Sequence, residues 1–176
     1  MVQDILDRLG FDTLGGRAVA AGLMAASAGA LASAYAFQFI GGLQPCPLCL
    51  YQRIPWWAAL GLAAVALRLH HIPRARDSMV LLGAVAVLVG AGIAGYHAGV
   101  EYKWWVGPTT CTGAGGGIGG TAQTLDALRA QIMNAPVVRC DEIPWSLFGV
   151  SMAGYNFLLS LFVGLGAGWA IWMSRR

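Results

Sequence analysis

Two cysteines separated by two residues, and an arginine four positions after the second, stand in "CPLCLYQR" at residues 46–53. A Cys-X-X-Cys bond closes a very small ring, so it adds little of the unfolded-state constraint that makes structural disulfides useful. The spacing is typical of redox exchange, in which one thiol has a lowered pKa. If a helix begins near Cys49, its N-terminus favours a thiolate there, and Arg53 lies one turn deeper on the same face. That guanidinium could stabilise a thiolate or bind the carbonyl of a ligand from the membrane; the alternative is an arginine that reaches the headgroups.

The chain has four cysteines, and the other two are Cys111 and Cys140. Two structural disulfides would give the same even count. Zinc binding is a further alternative for the first pair, but the second two cysteines form no close pair, so the spacing is poor for a four-cysteine site. Leu50 follows Cys49, which excludes a c-type haem attachment motif. Redox exchange is the favoured interpretation.

The elements that must position these residues belong to a membrane protein. The chain is 57% hydrophobic and only 11% charged, against roughly 25% charged in soluble domains. Four segments at about 18–40, 50–69, 78–99 and 147–172 can supply the roughly 20 residues of a transmembrane helix. Since lipid requires internally satisfied backbones, we predict an all-α membrane protein: a four-transmembrane-helix bundle that forms one domain over residues 1–176. No dense basic patch supports nucleic-acid binding.

The distribution of basic residues predicts the orientation of the chain in the membrane. The side that holds both termini carries seven of the eleven basic residues, so the positive-inside rule places it in the cytoplasm. These residues are Arg8, Arg17, Arg68, Arg74, Arg76, Arg175 and Arg176. The loops at about 41–49 and 100–146, with all four cysteines, then face the periplasm of a bacterium, where disulfides persist. A cleaved signal peptide ending near "ALASAYA" is the alternative for the N-terminus, but the acidic start and long apolar run argue against it.

Further features surround the predicted site. The segment "TAQTLDALRAQIMN" (121–134) has a helical apolar face, which predicts a short helix in the second loop, either on the membrane surface or packed on the protein. His97, near the outer end of the third span, is either a packed residue or part of a quinone-sized cleft beside Arg53. Tryptophans at the outer span ends fit an interfacial belt. They are Trp56, Trp57, Trp104, Trp105 and Trp145.

Over about residues 17–173 the chain resembles the DsbB family, bacterial inner-membrane thiol:quinone oxidoreductases of disulfide bond formation. The resemblance rests on "CPLCLYQR", "YHAGVEYKWW" and "CDEIPWSLFGVSMAGYN". It implies a periplasmic DsbA-like thioredoxin-fold partner and ubiquinone or menaquinone as the acceptor. The residues to which it assigns roles are catalytic Cys46, Cys49, Cys111 and Cys140, and quinone-binding Arg53, Cys49, His97 and Met152.

The resemblance also implies an electron path. The partner attacks the Cys111–Cys140 disulfide at Cys111, exchange with Cys46–Cys49 passes two electrons inward, and Cys49 delivers them to quinone. Two features depart from the family pattern: the dipeptide Pro47–Leu48, which should stiffen the loop, and a long glycine-rich stretch after Cys111. The competing hypothesis is a non-enzymatic membrane scaffold or transporter subunit with two structural disulfides.

Overall fold

The computed structural model describes residues 15–107 and 139–174, which form four helices and one hairpin. In chain order these are α1 (Gly16–Phe39), α2 (Pro47–Arg68), α3 (Pro73–Glu101), β1 (Ser146–Leu147), β2 (Val150–Ser151) and α4 (Met152–Ser174). The helix predicted at 121–134, and Cys111 with it, lie outside the described residues.

Helix α2 begins three residues before the predicted span, because Cys46 and Pro47 form a helix start. Pro47 is the first helical residue, where its fixed φ suits the helix and its missing N–H costs nothing. Cys46 is the N-cap, and its sulfur accepts a hydrogen bond from the Cys49 backbone N–H at 3.3 Å. The cysteine motif is therefore the first turn of a helix rather than part of a loop.

Helix α3 has 29 residues, which at 1.5 Å per residue is about 44 Å, longer than the hydrocarbon core. Its C-terminus is closed by a Schellman arrangement: Trp104 N–H donates to Gly99 O at 2.8 Å and Lys103 N–H to Val100 O at 3.1 Å. Lys103 adopts the left-handed conformation this requires, with φ of 62°. The turn directs the chain back across the end of the helix, where the second loop rejoins the fold.

Helix α4 starts at Met152, later than the predicted 147, because a hairpin occupies the preceding residues. Strands β1 and β2 pair antiparallel with Ser146 opposite Ser151 and Leu147 opposite Val150. The two loop residues, Phe148 and Gly149, both have positive φ (50° and 78°), as a type I′ turn requires. This tight turn brings Ser151 to the C-terminal end of α3, where it contacts Tyr102 and Glu101.

Helix α3 is the centre of the packing and contacts α1, α2 and α4. Small residues let the helix backbones approach: the Cβ position of Gly90 is 3.0 Å from Pro55 Cβ, and that of Gly164 is 2.7 Å from Leu88 Cγ. Large apolar side chains such as Phe162 face outward, as lipid-facing surfaces do.

Helices α1, α3 and α4 are long and apolar enough to cross a membrane. The mostly helical membrane architecture is therefore confirmed. The crossing of α2 stays a prediction.

Candidate active site

The two cysteines of the motif are in contact at the start of α2. Their sulfur atoms lie 2.9 Å apart, with Cys46 buried and Cys49 partly exposed. The hydrogen bond that Cys46 shares with Cys49, together with burial, raises the pKa of the Cys46 thiol to about 12, while a hydrogen bond with His97 acts in the opposite direction. Cys46 therefore needs a donor nearby if it is to carry negative charge.

A third cysteine reaches the same place from the second loop. Cys140 is 1% exposed and packs in one cluster with Cys46, Leu48 and Val100. The sulfur atoms of Cys46 and Cys140 and a ring nitrogen of His97 all lie within 4.8 Å of one another. Sulfurs from the two predicted pairs are thus close enough to exchange bonds after a small movement.

Ion pairs hold the segment that carries Cys140. Asp141 accepts from Lys103 Nζ at 2.8 Å and from both Nε and Nη2 of Arg139, at 2.9 and 2.8 Å. These cations, Arg139 first, hold the pKa of the Asp141 carboxyl well below its usual range. Because Lys103 belongs to the turn that closes α3, the pair ties the second loop to the end of that helix.

His97 is 2% exposed and lies at the centre of a polar network between helices. Its Nε2 is 3.6 Å from Cys46 Sγ, and its Nδ1 is 2.7 Å from Gln52 Nε2. Asn156 Nδ2 donates to Gln52 Oε1 at 2.6 Å, and Trp56 Nε1 donates to Asn156 Oδ1 at 2.9 Å. The network links α2, α3 and α4.

A buried carboxyl group adjoins this network. Glu101 is 4% exposed, and its Oε1 lies 3.8 Å from His97 Nε2. Its Oε2 accepts a hydrogen bond from Ser151 Oγ at 2.5 Å, and Ser151 Oγ in turn accepts from the Gly154 backbone N–H. An ionisable group in a membrane helix is costly, so Glu101, beside the sulfurs, is a candidate functional residue.

Arg53 is held on the other side of the motif. Its Nη1 donates to Gln38 Oε1 at 2.7 Å, and its guanidinium lies 4.7 Å from the centre of the Tyr35 ring. Both partners come from α1. The side chain is thus anchored to the protein, which disfavours the alternative of an arginine that only reaches the headgroups.

A cavity of about 310 Å³ lies beside the cysteine motif and is bordered by Arg53 and His97. Its walls are largely apolar, and Cys49, Arg53, His97 and Met152 all contribute to its lining. Apolar walls with a few convergent polar groups are typical of sites for small ligands.

The structure brings together most of the residues to which the sequence assigned roles. Cys46, Cys49, Arg53, His97, Met152 and Cys140 surround one region, either at the sulfur cluster or in the cavity wall. One sequence expectation is wrong: Trp56 is 3% exposed and bonded inside the protein, not part of an interfacial belt.

Sequence reasoning missed Gln52, Asn156 and Glu101. A polar or ionisable residue within an apolar segment is the signal that could have found them.

Sulfurs that meet beside a polar network, in a chain built of apolar helices, are the arrangement that disulfide exchange in a membrane protein requires. Residues 16–170 match the family model described as disulfide bond formation protein DsbB. Similar proteins include disulfide bond formation protein B of Methylococcus capsulatus, 34% identical over 78% of this chain and 81% of that protein. The corresponding protein of Hahella chejuensis is 31% identical over 86% of this chain and 89% of its own length. No solved structure gives a significant match.

The chain therefore belongs to the DsbB family. It is a membrane oxidoreductase of disulfide bond formation.

Proposed function

We propose that this protein reoxidises a periplasmic DsbA-like dithiol oxidase and passes the electrons through two cysteine pairs, Cys111–Cys140 and Cys46–Cys49, to a membrane quinone. The observation that carries the proposal is the convergence of Cys46, Cys49 and Cys140 beside a cavity that contains Arg53. A scaffold with two structural disulfides does not require sulfurs of different pairs to lie within 4.8 Å.

Four thiol–disulfide exchanges would carry the electrons from the partner to the Cys46–Cys49 pair. A partner thiolate attacks Cys111, the Cys111–Cys140 bond breaks, and Cys140 leaves as a thiolate. Cys140 then attacks Cys46, a Cys46–Cys140 bond forms, and Cys49 leaves as a thiolate near Arg53. After the partner resolves its mixed disulfide, the Cys111 thiolate attacks Cys140 and Cys46 leaves. Two electrons have then moved from the partner to the Cys46–Cys49 pair, and each step is an ordinary attack of thiolate on disulfide.

The cavity residues fit a quinone head group. Apolar side chains such as Leu31, Phe37 and Leu159 would pack on a ring, and the Arg53 guanidinium would donate to a carbonyl oxygen. A quinone supplies an acceptor for two electrons and two protons. Cys49 also lines this cavity, so the thiolate that leaves in the exchange is the one nearest the acceptor. The acceptor would be ubiquinone or menaquinone.

The proposed topology follows from charge and from the position of the site. All four helices cross the inner membrane, both termini face the cytoplasm, and the cysteine loops face the periplasm as one integral membrane domain. A partner that folds outside the membrane could then reach Cys111, and a lipid-soluble acceptor could enter between helices.

The test uses purified protein with a reduced thioredoxin-fold partner and ubiquinone, with quinone absorbance as the readout. We expect Cys46→Ser to abolish quinone reduction while the protein still folds, because the two pairs can no longer exchange. Met173→Leu, at the far end of α4, is the matched control and should retain full turnover. Full partner reoxidation by Cys46→Ser, or a Cys46–Cys49 bond that resists dithiothreitol, would contradict the proposal and favour the scaffold.

A further inference from the structure

The polar network of α2, α3 and α4 has a fixed direction. The indole of Trp56 is only a donor, so the oxygen of Asn156 must face it. The Asn156 amide nitrogen then points to Gln52 and finds the oxygen of that side chain at 2.6 Å. This leaves the Gln52 amide nitrogen, a donor, directed at His97 Nδ1 at 2.7 Å.

The direction determines the tautomer of His97. A ring nitrogen that accepts a hydrogen bond carries no proton, so Nδ1 is the acceptor and the neutral ring holds its proton on Nε2. That N–H faces Cys46 Sγ at 3.6 Å, with Cys140 Sγ inside the same 4.8 Å cluster. His97 is therefore a hydrogen-bond donor to sulfur and not a base.

We propose that Gln52, Asn156 and Trp56 are positioning residues that hold His97 as the Nε2–H tautomer, so that this N–H stabilises the Cys46 thiolate. The inference rests on the proposed function, in which Cys46 leaves from its bond with Cys140. In that step the Cys111 thiolate attacks Cys140, the Cys46–Cys140 bond breaks, and Cys46 departs with the electron pair. His97 keeps its proton and donates only a hydrogen bond.

The burial of Cys46 and His97 makes the His97 N–H important for stabilising the Cys46 thiolate. Cys46 is 3% exposed and His97 2% exposed, so water supplies little of the stabilisation that a thiolate needs. Cys49 supplies the other donors within reach: its backbone N–H, at 3.3 Å, and, once protonated, its thiol, at 2.9 Å. Without the His97 N–H, the departing charge depends on these contacts with Cys49 alone.

Titratable and charged groups surround His97 from each element packed against it. Glu101 shares its helix, Cys46 and Cys49 come from α2, and the second loop supplies Cys140 as well as Arg139 and Glu142, which line the adjoining cleft. The carboxylate of Glu101, 3.8 Å from Nε2, and the backbone carbonyl of Cys140 are competing acceptors for the ring N–H. Because Ser151 also donates to Glu101, the charge of that carboxylate is partly satisfied elsewhere.

The tautomer is measured first. The chain has three histidines, and replacing the exposed His70 and His71 by Gln leaves His97 as the single reporter for ¹⁵N NMR of the full-length protein. We expect a protonated Nε2 and an unprotonated Nδ1 near neutral pH. An Nδ1–H tautomer or an imidazolium would overturn the proposal without any further variant.

The effect on sulfur is measured next, in a protein that keeps Cys46 as its one cysteine, from the pH dependence of alkylation. Gln52→Met has a similar size but no donor, so we expect mixed tautomers and a Cys46 pKa higher by about one unit, a tenfold loss of thiolate. Trp56→Phe, a milder change, should move both readouts in the same direction. Ser160→Ala is the matched control: its hydroxyl also contacts Asn156 Oδ1, at 3.5 Å, but does not determine the direction of the network.

The two proposals fail in distinguishable ways. If Gln52→Met leaves the tautomer and the Cys46 pKa unchanged while Cys46→Ser abolishes turnover, only the role of the network is wrong. If Cys46→Ser reoxidises the partner at full rate, the electron path itself is wrong.

Discussion

The anchoring of Arg53 gives a prediction about the quinone alone. Gln38 accepts a hydrogen bond from Arg53 Nη1 at 2.7 Å, and the face of the Tyr35 ring lies 4.7 Å from the guanidinium. Gln38→Leu removes the first restraint and leaves the second. A hydrogen bond to a charged group contributes about 1.5–3 kcal/mol. Because Arg53 is half-buried and retains the ring contact, we take about 1–2 kcal/mol, or roughly 5- to 30-fold in kcat/KM for quinone.

The assay is quinone reduction at a saturating concentration of reduced partner, with quinone varied. The loss should appear in kcat/KM for quinone, while the rate of the first disulfide exchange with the partner, measured in a single turnover without quinone, stays unchanged. Tyr35→Phe keeps the ring and is one control. Ser33→Ala is another, since Ser33 lines the same cavity but its hydroxyl donates only to Ala30 O. Equal kcat/KM for quinone in Gln38→Leu and wild type, or an equal loss in Ser33→Ala, would refute the reasoning about Arg53.

Two further predictions concern packing and pH. Gly164→Val should lower the free energy of unfolding by about 1–3 kcal/mol, because the new Cβ would lie 2.7 Å from Leu88 Cγ. Gly166→Val is the control and should avoid this loss, because nothing lies within 4 Å of its Cβ position. Thermal unfolding in one detergent compares the two variants, and equal melting temperatures would contradict the packing. The pKa of the Asp141 carboxyl is lower in the folded protein than in the unfolded chain. Its ion pairs therefore stabilise the folded state fully above about pH 4, the pKa of the unfolded chain. This stabilisation is lost as the pH falls through the pKa of the folded state. In a Cys111→Ser protein near pH 7, Asp141→Asn should therefore expose Cys140 to faster maleimide labelling; an unchanged rate would show that the ion pairs do not hold the segment.

The sequence by itself determined the local part of the site. Cys46, Pro47, Cys49 and Arg53 lie within eight positions of one another, and helix geometry alone places them in the first two turns once the helix starts at Pro47. Apolar length likewise predicted the helices, since a backbone in lipid must satisfy its own hydrogen bonds. The hairpin before α4 was missed because its turn, Phe148–Gly149, has an apolar residue where type I′ turns usually have Asn, Asp or Gly, and it lies in a mostly apolar run.

Only the tertiary structure decided which distant side chains meet. His97 reaches Cys46 across 51 positions and Asn156 reaches Gln52 across 104, and both contacts depend on the rotation of one helix against another. In a soluble helix the apolar face would indicate that rotation, but lipid is as apolar as the protein interior, so these helices are apolar all round and their sequences do not mark the buried side. The same reason explains Trp56, which the sequence put at the interface and which the structure places in the buried cluster of the helices, bonded to Asn156.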